Sequence, residues 1–233
     1  MKKREVEFKV GNDTLRGTLF IPSGKGPFPA VIFFHGSEST GETYFELGEK
    51  LSQNGILGFA FNYRGCGVSD GNIKEQTLGM GLEDAKAAME LFFPQKEVDR
   101  ERVGISGSSY GAFLASMISP KYNFKSMILI VPASYARSSM NVIHGTHIRT
   151  LDDFNKSDSY QEIEKFKGSL LVIRSEFEDV LPMGMAEKYF EVAKDAKRKE
   201  NYLLKGAKHR IKLNPKAKEV MVEKVINWFL ETL

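Results

Sequence analysis

The sequence predicts a single α/β domain in which helices cover both faces of a mostly parallel β-sheet. Two observations support this prediction. Short apolar runs alternate with longer amphipathic segments along the 233 residues, the order expected of successive strand and helix units. The apolar fraction of 42% and the charged fraction of 27% are those of an ordinary globular protein. A chain of this length suits one domain, 1–233, with at most a small insertion.

The first two strands are predicted to pair as an antiparallel hairpin, because Gly11, Asn12 and Asp13 supply turn chemistry between two alternating runs. The later strands are continuous apolar runs, which are typical of strands buried on both faces of a parallel sheet. The eight predicted strands cover 5–10, 14–21, 30–34, 57–62, 102–106, 126–131, 169–174 and 201–205.

Helices are predicted where apolar residues recur at helical spacing between the strands. The segment 132–167 interrupts this rhythm with polar residues and weak periodicity. We expect it to be a short insertion after the sixth strand, either a lid or ordinary surface packing. The five predicted helices cover 44–54, 78–93, 109–118, 183–196 and 215–230.

Charge and cysteine content narrow the function classes. The net charge is only +3, and the single cysteine, Cys66, excludes an internal disulfide and a cysteine-cluster metal site. The chain has no apolar run near the ~18 residues of a membrane helix, and its start alternates like a strand instead of forming a signal peptide. The expectation is a cytoplasmic protein without a membrane or nucleic-acid partner. Basic residues crowd 194–218, which predicts a solvated face or, alternatively, a site for an anionic substrate or partner.

The motif that carries chemistry is Gly107-Ser108-Ser109-Tyr110-Gly111, placed after an apolar run and before a helix-forming stretch. In this context Ser109 is predicted to lie in a strained strand-to-helix turn that exposes its hydroxyl. The flanking glycines let neighbouring backbone pass without a clashing Cβ. A serine hydroxyl alone is a weak nucleophile. The motif therefore also predicts a histidine base, an acid that orients it and backbone donors for an oxyanion.

Motifs along most of the chain resemble those of the α/β-hydrolase superfamily. Besides the serine turn they include His35-Gly36 after the third strand, the glycine-rich run 63–71 after the fourth, and an acidic loop after the seventh. The resemblance is nearest to small esterases of the dienelactone-hydrolase and cinnamoyl (feruloyl) esterase kind, although serine stands where true dienelactone hydrolases have cysteine. It implies the α/β-hydrolase fold, and catalysis without a cofactor or a metal.

The family orders its catalytic residues as serine, acid and histidine, and this order implies His209, after the last strand, as the base. The acid is implied in the loop 175–182. Glu178 stands there four residues before Pro182, where the family usually has aspartate. Asp179 is the alternative by side-chain type.

The resemblance also implies an oxyanion hole formed by the backbone N–H groups of Tyr110 and Ser37. Glu38 is expected to point away from the oxyanion or to contact a cationic or hydroxylated substrate group. Substrate contacts are expected from the loop after the third strand and from the insertion, at His35, Gly36, Glu38, Tyr135, Met140 and Ile143.

Two residue pairs outside the predicted catalytic site are also assigned roles. Arg64 and Asp70, in the turn after the fourth strand, are predicted to pair or cap and so brace the oxyanion loop. His144 and His147 have a spacing that could ligate a metal from a helix. They lack an apparent third ligand, so non-metal catalysis is favoured.

The sequence therefore predicts a serine hydrolase that cleaves carboxylic esters with short or aromatic acyl groups through an acyl-enzyme intermediate. Its expected partner is a small-molecule ester, and its expected assembly is a monomer or homodimer. An acyl-peptidase or thioesterase using the same residues is the alternative within the enzyme class. A catalytically idle hydrolase fold that serves as a receptor or scaffold is the alternative outside it.

Overall fold

The sheet has as many strands as the sequence predicts. The computed structural model describes residues 1–37 and 39–233, and within them lie eight strands. They are β1 Lys2–Val10, β2 Asp13–Ile21, β3 Phe28–Phe34, β4 Leu57–Phe61, β5 Val98–Ser108, β6 Ser126–Ile130, β7 Ser169–Phe177 and β8 Arg198–Lys208. Every predicted strand is confirmed, most with longer ends.

Seven α-helices lie within the same described residues. They are α1 Phe45–Gln53, α2 Met80–Phe92, α3 Tyr110–Ile118, α4 Leu151–Asn155, α5 Asp158–Glu164, α6 Met185–Val192 and α7 Pro215–Thr232. The five predicted helices are confirmed. The sequence missed α4 and α5 because helices of 5 and 7 residues are too short to show a 3.6-residue period.

Strand pairing confirms the predicted fold class. The sheet runs in the order β1-β2-β4-β3-β5-β6-β7-β8. β2 pairs antiparallel with both β1 and β4, whereas all later neighbours pair parallel. The hairpin turns at Gly11, whose φ of 57° lies in the left-handed region that favours glycine. The carboxyl ends of β3 and β5 to β8 therefore meet at one edge of the sheet.

Two apolar layers bury the two faces of this sheet. On β3 the side chains alternate, so that Ile32 and Phe34 join one core while Val31 and Phe33 join the other. Helices α2, α3, α5 and α6 cover the first face, and α1 and α7 cover the second. Within the described residues, no helix has the length and apolar composition needed to span a bilayer.

The segment between β6 and β7 packs onto the domain through a buried carboxylate. Asp153 is fully buried, and it accepts hydrogen bonds from the backbone N–H of Ala136 (2.8 Å) and the hydroxyl of Ser139 (2.9 Å). Its side chain also closes a capping box with Thr150 at the start of α4. These bonds tie the two halves of the insertion together.

Candidate active site

Ser109 lies in a strained turn between β5 and α3. Its backbone has φ 51° and ψ −113°, outside the regions that a non-glycine residue ordinarily occupies. The neighbouring strand holds this conformation, because the Ser109 N–H donates to the carbonyl of Ile130 (2.9 Å) and the Ser109 carbonyl accepts from Ala133 (3.2 Å). Such a residue stores about 1–3 kcal/mol of strain that the surrounding structure must offset. The turn directs the hydroxyl away from the sheet toward the loop that follows β8.

The two glycines of the motif are required by close backbone packing. A Cβ on Gly107 would collide with the carbonyl of Gly111, and a Cβ on Gly111 would collide with the carbonyl of Phe34. The turn therefore packs tightly against both its own helix start and the end of β3.

The imidazole of His209 lies between Ser109 and Glu178. Its Nε2 is 3.0 Å from the Ser109 hydroxyl oxygen, and its Nδ1 is 2.9 Å from a carboxylate oxygen of Glu178. The His209 side chain is 10% exposed, so little of the imidazole contacts water. With the proton on Nδ1 donated to Glu178, Nε2 is free to accept the hydroxyl proton.

The Glu178 carboxylate is held ionised by four donors. Burial alone would raise its pKa, but hydrogen bonds from His209 and from the backbone N–H groups of Val180 and Leu181 (each 2.9 Å) lower the pKa to about 2. The hydroxyl of Ser175 also donates to it at 3.0 Å. An ionised carboxylate fixes the imidazole orientation and stabilises its protonated form.

Asp179 lies on the other side of the same loop. Its carboxylate accepts the backbone N–H of His209 at 3.3 Å and pairs with Lys208 at 3.3 Å, and 46% of its side chain is exposed. The structure thus brings Glu178, and not Asp179, against the imidazole ring.

Tyr110 is the first residue of α3, and its side chain and its backbone N–H have different roles. The phenol is fully buried and donates to the carbonyl of Leu78 at 2.7 Å. The first N–H groups of a helix lack intrahelical acceptors. The Tyr110 N–H, next to Ser109, is therefore placed at the positive end of the α3 dipole.

The loop after β3 passes directly beside the serine. A Cβ on Gly36 would lie 3.6 Å from the Ser109 Cβ, which shows how close the two backbones come. Ser37 follows Gly36 and is partly exposed. Glu38 lies outside the described residues, so the expectation about its direction remains a prediction.

Asn62 connects this loop to the end of β4, a role that the sequence did not predict. Its carbonyl oxygen accepts the Gly41 N–H at 2.7 Å, and its amide donates to Glu42 at 2.9 Å. Asn62 is 3% exposed, and its bond to the Gly41 N–H is buried, whereas Glu42 is exposed. An asparagine directly after a buried strand was the only signal available in the sequence.

His35 packs against the loop that follows β3. It is 1% exposed, its Nδ1 lies 2.8 Å from the Gly36 carbonyl, and its ring packs 4.1 Å from that of Tyr63. Burial lowers the pKa of His35 to about 4, so the ring is neutral at pH 7. His35 thus packs beneath the loop instead of facing solvent.

Arg64 and Asp70 do pair, but with partners other than those expected. Arg64 donates to Asp84 (2.6 Å) and Glu83 (2.7 Å) at the start of α2, whereas Asp70 pairs with Arg16 of β2 (2.7 Å). The predicted pairing of Arg64 with Asp70 is therefore wrong. The turn after β4 is instead fixed to α2 on one side and to the hairpin on the other.

The insertion residues predicted to contact substrate differ in burial and in their neighbours. Tyr135 is 2% exposed with its ring 5.8 Å from that of Tyr110, and the Met140 carbonyl accepts the Gly79 N–H at 2.8 Å. Ile143 is 38% exposed. Tyr135 and Met140 also line a cavity of about 200 Å³ between the insertion, α2 and α3.

His144 and His147 have separate partners. The His144 ring lies 4.1 Å from the Tyr110 ring, and burial lowers its pKa to about 4. His147 lies 3.0 Å from the carboxylate of Asp153. Among the residues that the structure describes, no group of three or more potential ligands could hold a metal ion.

Comparisons with known proteins agree with this architecture. A model of the prolyl oligopeptidase family matches residues 35–233. YfhR of Escherichia coli strain K12 is 25% identical over 98% of this chain and 81% of its own length. Esterase EstD of Thermotoga maritima is 30% identical over 51% of this chain and 30% of its own.

A solved structure extends the likeness to the whole fold. Est1E from Butyrivibrio proteoclasticus, determined with ferulic acid bound, superposes with a TM-score of 0.76 over 97% of this chain and 98% of its own. At 16% identity this likeness concerns the fold alone.

Proposed function

The chain belongs to the prolyl oligopeptidase family, a family of serine hydrolases, and from this premise we propose that it cleaves carboxylic esters through an acyl-enzyme on Ser109. The observation that carries the proposal is one continuous chain of hydrogen bonds. It runs from the Ser109 hydroxyl to His209 (3.0 Å) and from His209 to Glu178 (2.9 Å). It begins at a serine whose φ of 51° is unusual for a non-glycine residue.

Acylation begins when the Ser109 oxygen attacks the ester carbonyl carbon. His209 Nε2 takes the hydroxyl proton as the new C–O bond forms, and the carbonyl π electrons move to oxygen. The tetrahedral intermediate then collapses. The bond to the alcohol breaks, and His209 returns its proton to the departing alkoxide.

Deacylation repeats these steps with water in place of the serine. Water attacks the acyl carbon and gives a proton to His209, and the second intermediate releases the carboxylic acid. The same proton restores the Ser109 hydroxyl. Throughout the cycle Glu178 keeps the Nδ1 proton directed toward itself and stabilises the imidazolium.

The oxyanion of both intermediates is proposed to lie between the N–H groups of Tyr110 and Ser37. Tyr110 contributes the first N–H of α3, and Gly36 brings the Ser37 backbone alongside the serine. Each such donor typically contributes ~3 kcal/mol to transition-state stabilisation.

We propose short or aromatic acyl groups as the preferred substrates. The whole-chain fold likeness to Est1E, a protein solved with ferulic acid, supports the aromatic choice. Cleavage of acyl-peptides is the second candidate, because the family model that matches 35–233 is named for an oligopeptidase. The same residues would serve that reaction with an amine as the leaving group.

Hydrolysis of p-nitrophenyl esters from acetate to decanoate, of methyl ferulate and of an N-acetyl-amino-acid p-nitroanilide tests the proposal. Ser109→Ala should abolish turnover of every substrate that the wild type cleaves. Ser106→Ala is the matched control, because Ser106 lies on β5 and its buried hydroxyl has no hydrogen-bond partner among the described residues.

The substrate profile separates the two candidates. Faster turnover of esters than of the anilide supports the esterase, whereas a preference for the anilide supports the peptidase. Turnover that survives Ser109→Ala would overturn the mechanism for both.

A further inference from the structure

A large basic concavity lies at the amino-terminal edge of the sheet, opposite the candidate active site. It encloses about 780 Å³ and lies where the chain enters β6, β7 and β8 and where α3 and α7 end. We call it the basic basin. Its six cationic lining residues are Arg102, Lys121, Lys125, Lys165, Lys167 and Lys197.

The basic basin carries an excess of positive charge. Against its six cations the lining has two carboxylates, Glu101 and Glu162, which leaves a formal charge of +4. Glu162 is engaged with Lys165 at 3.5 Å. A cleft lined by one sign of charge raises the local concentration of ions of the opposite sign.

Four of the basin lysines lack an ion-pair partner in the part of the chain that the structure describes. They are Lys121, Lys125, Lys167 and Lys197. Elsewhere on the surface many cations are paired, as Lys218 is with Glu46 (2.6 Å). Other lysines, such as Lys74 and Lys86, also have no ion pair among the described residues, but these four line a single concavity.

The backbone holds three of these lysines in fixed relation. The Lys197 N–H donates to the carbonyls of Lys167 (3.3 Å) and Gly168 (3.1 Å), and the Lys125 carbonyl accepts the Ser169 N–H (2.9 Å). A Cβ on Gly168 would lie 2.7 Å from the Lys125 carbonyl, so glycine permits this close approach. The backbone positions of these three lysines are therefore fixed relative to one another.

The basic basin is distinct from the candidate active site. Strand β6 begins at Ser126, next to Lys125 of the basin, and ends at Ile130, whose carbonyl accepts the Ser109 N–H. Four residue steps along a strand separate these ends by about 13 Å. A ligand in the basin therefore lies outside the reach of the serine.

We propose that the basic basin binds a compact polyphosphate anion, such as the triphosphate chain of a nucleotide or inorganic tripolyphosphate. The volume suits a small ligand, and multiple phosphate oxygens match several ammonium groups at once. This site is independent of the proposed esterase activity.

Ring packing favours a phosphate chain over single-stranded nucleic acid. The aromatic residues of the lining are engaged with the protein: Tyr122 stacks on Phe93 at 5.0 Å, and Phe124 and Phe166 are buried. Single-strand binding normally relies on exposed rings on which bases stack. The basic basin has positive charge, but the three aromatic residues of its lining pack against the protein and are not free for base stacking.

Calorimetric titration of the full chain with sodium tripolyphosphate, at low and at physiological ionic strength, tests the proposal. We expect saturable binding that weakens as salt rises. The double variant Lys125→Gln/Lys167→Gln should weaken binding roughly tenfold, since two close charges are lost. Lys74→Gln/Lys86→Gln is the matched control, because it removes the same charge outside the basin, and it should change the affinity less than twofold.

The remaining outcomes overturn the proposal. Absence of binding at low salt would contradict it, as would equal weakening by both double variants, which would indicate a response to overall charge alone. Sulfate binding as tightly as tripolyphosphate, or a single-stranded RNA oligonucleotide binding more tightly, would also contradict a compact polyphosphate site. Melting temperature and p-nitrophenyl acetate hydrolysis establish that each variant is folded.

Discussion

The carboxyl and amino edges of the sheet differ in backbone strain and in the pairing of charged side chains. In the described part of the chain, the two non-glycine residues with positive φ, Ser109 (51°) and Val131 (40°), both lie at the carboxyl edge. At that edge the carboxylate of Glu178 lies 2.9 Å from the imidazole of His209. At the amino edge the basic basin collects lysines that have no ion-pair partner among the described residues.

The difference shows that the two edges are organised by different forces. Val131 is β-branched, so its positive φ is a true outlier, and its N–H donates to Ile173 at 2.7 Å beside the carbonyl that receives the Ser109 N–H. Packing and hydrogen bonds thus offset backbone strain at the carboxyl edge and hold the proposed nucleophile in place. At the amino edge the lysines of the basic basin line one concavity. This arrangement is suited to attracting anions and not to transferring protons.

The largest expected effect is loss of the base at the carboxyl edge. His209→Gln should lower kcat for p-nitrophenyl acetate by ~10⁶-fold, since His209 is the base that the described residues place on the Ser109 hydroxyl. The neighbouring Lys208→Gln, which removes an exposed ammonium paired with Asp179, should change kcat less than threefold. Comparable losses in both variants would indicate damage to the loop and not loss of a base.

The next effect separates the two acids. Glu178→Gln should lower kcat by ~10⁴-fold, because an amide can no longer stabilise the imidazolium. Asp179→Asn should leave kcat within a few fold, since Asp179 contacts the backbone N–H of His209 and the ammonium of Lys208 instead of the imidazole ring. The reverse ranking in steady-state kinetics would assign the acid to Asp179.

A smaller effect is expected behind the oxyanion loop. Asn62→Ala leaves the buried Gly41 N–H without its acceptor, a loss of about 1–3 kcal/mol, and should loosen the loop that carries Ser37. We expect kcat to fall about tenfold with KM nearly unchanged, because the oxyanion donor acts in the transition state. Asn54→Ala, at an exposed amide that bonds the Lys50 carbonyl, is the control. A rise in KM alone would contradict a role in the transition state.

The smallest effect is a pH dependence of stability. The folded pKa of Glu178 is lowered from 4.5 to about 2, so its stabilising contribution is complete above pH 4.5 and is lost as pH falls toward 2. The melting-temperature difference between wild type and Glu178→Gln should therefore shrink from pH 6 to pH 3. A difference that stays constant over this range would contradict the lowered pKa.

The sequence predicts those features of the structure that depend on residues close together in the chain. Strands and long helices follow from apolar period, and the serine turn follows from two glycines and a flanking strand, so these were predicted. The partners of Arg64 and Asp70 were not, because each pairs with a residue from a distant part of the chain. The short helices α4 and α5 show no period.

Surfaces built from many segments were also beyond sequence reasoning. The basic basin draws its lining from positions between Glu101 and Thr232. The basic cluster noticed at 194–218 contributes only Lys197 to it. The burial of His35 beneath its loop likewise depends on how β3 and β4 pack together.

The most direct test of the central claim is labelling with a fluorophosphonate probe, followed by mass spectrometry of the modified peptide. We expect a single adduct on Ser109, formed rapidly in the wild type, strongly slowed in His209→Gln and absent in Ser109→Ala. An adduct on another residue, or no adduct on the folded wild-type protein, would contradict a hydrolase that acts through Ser109.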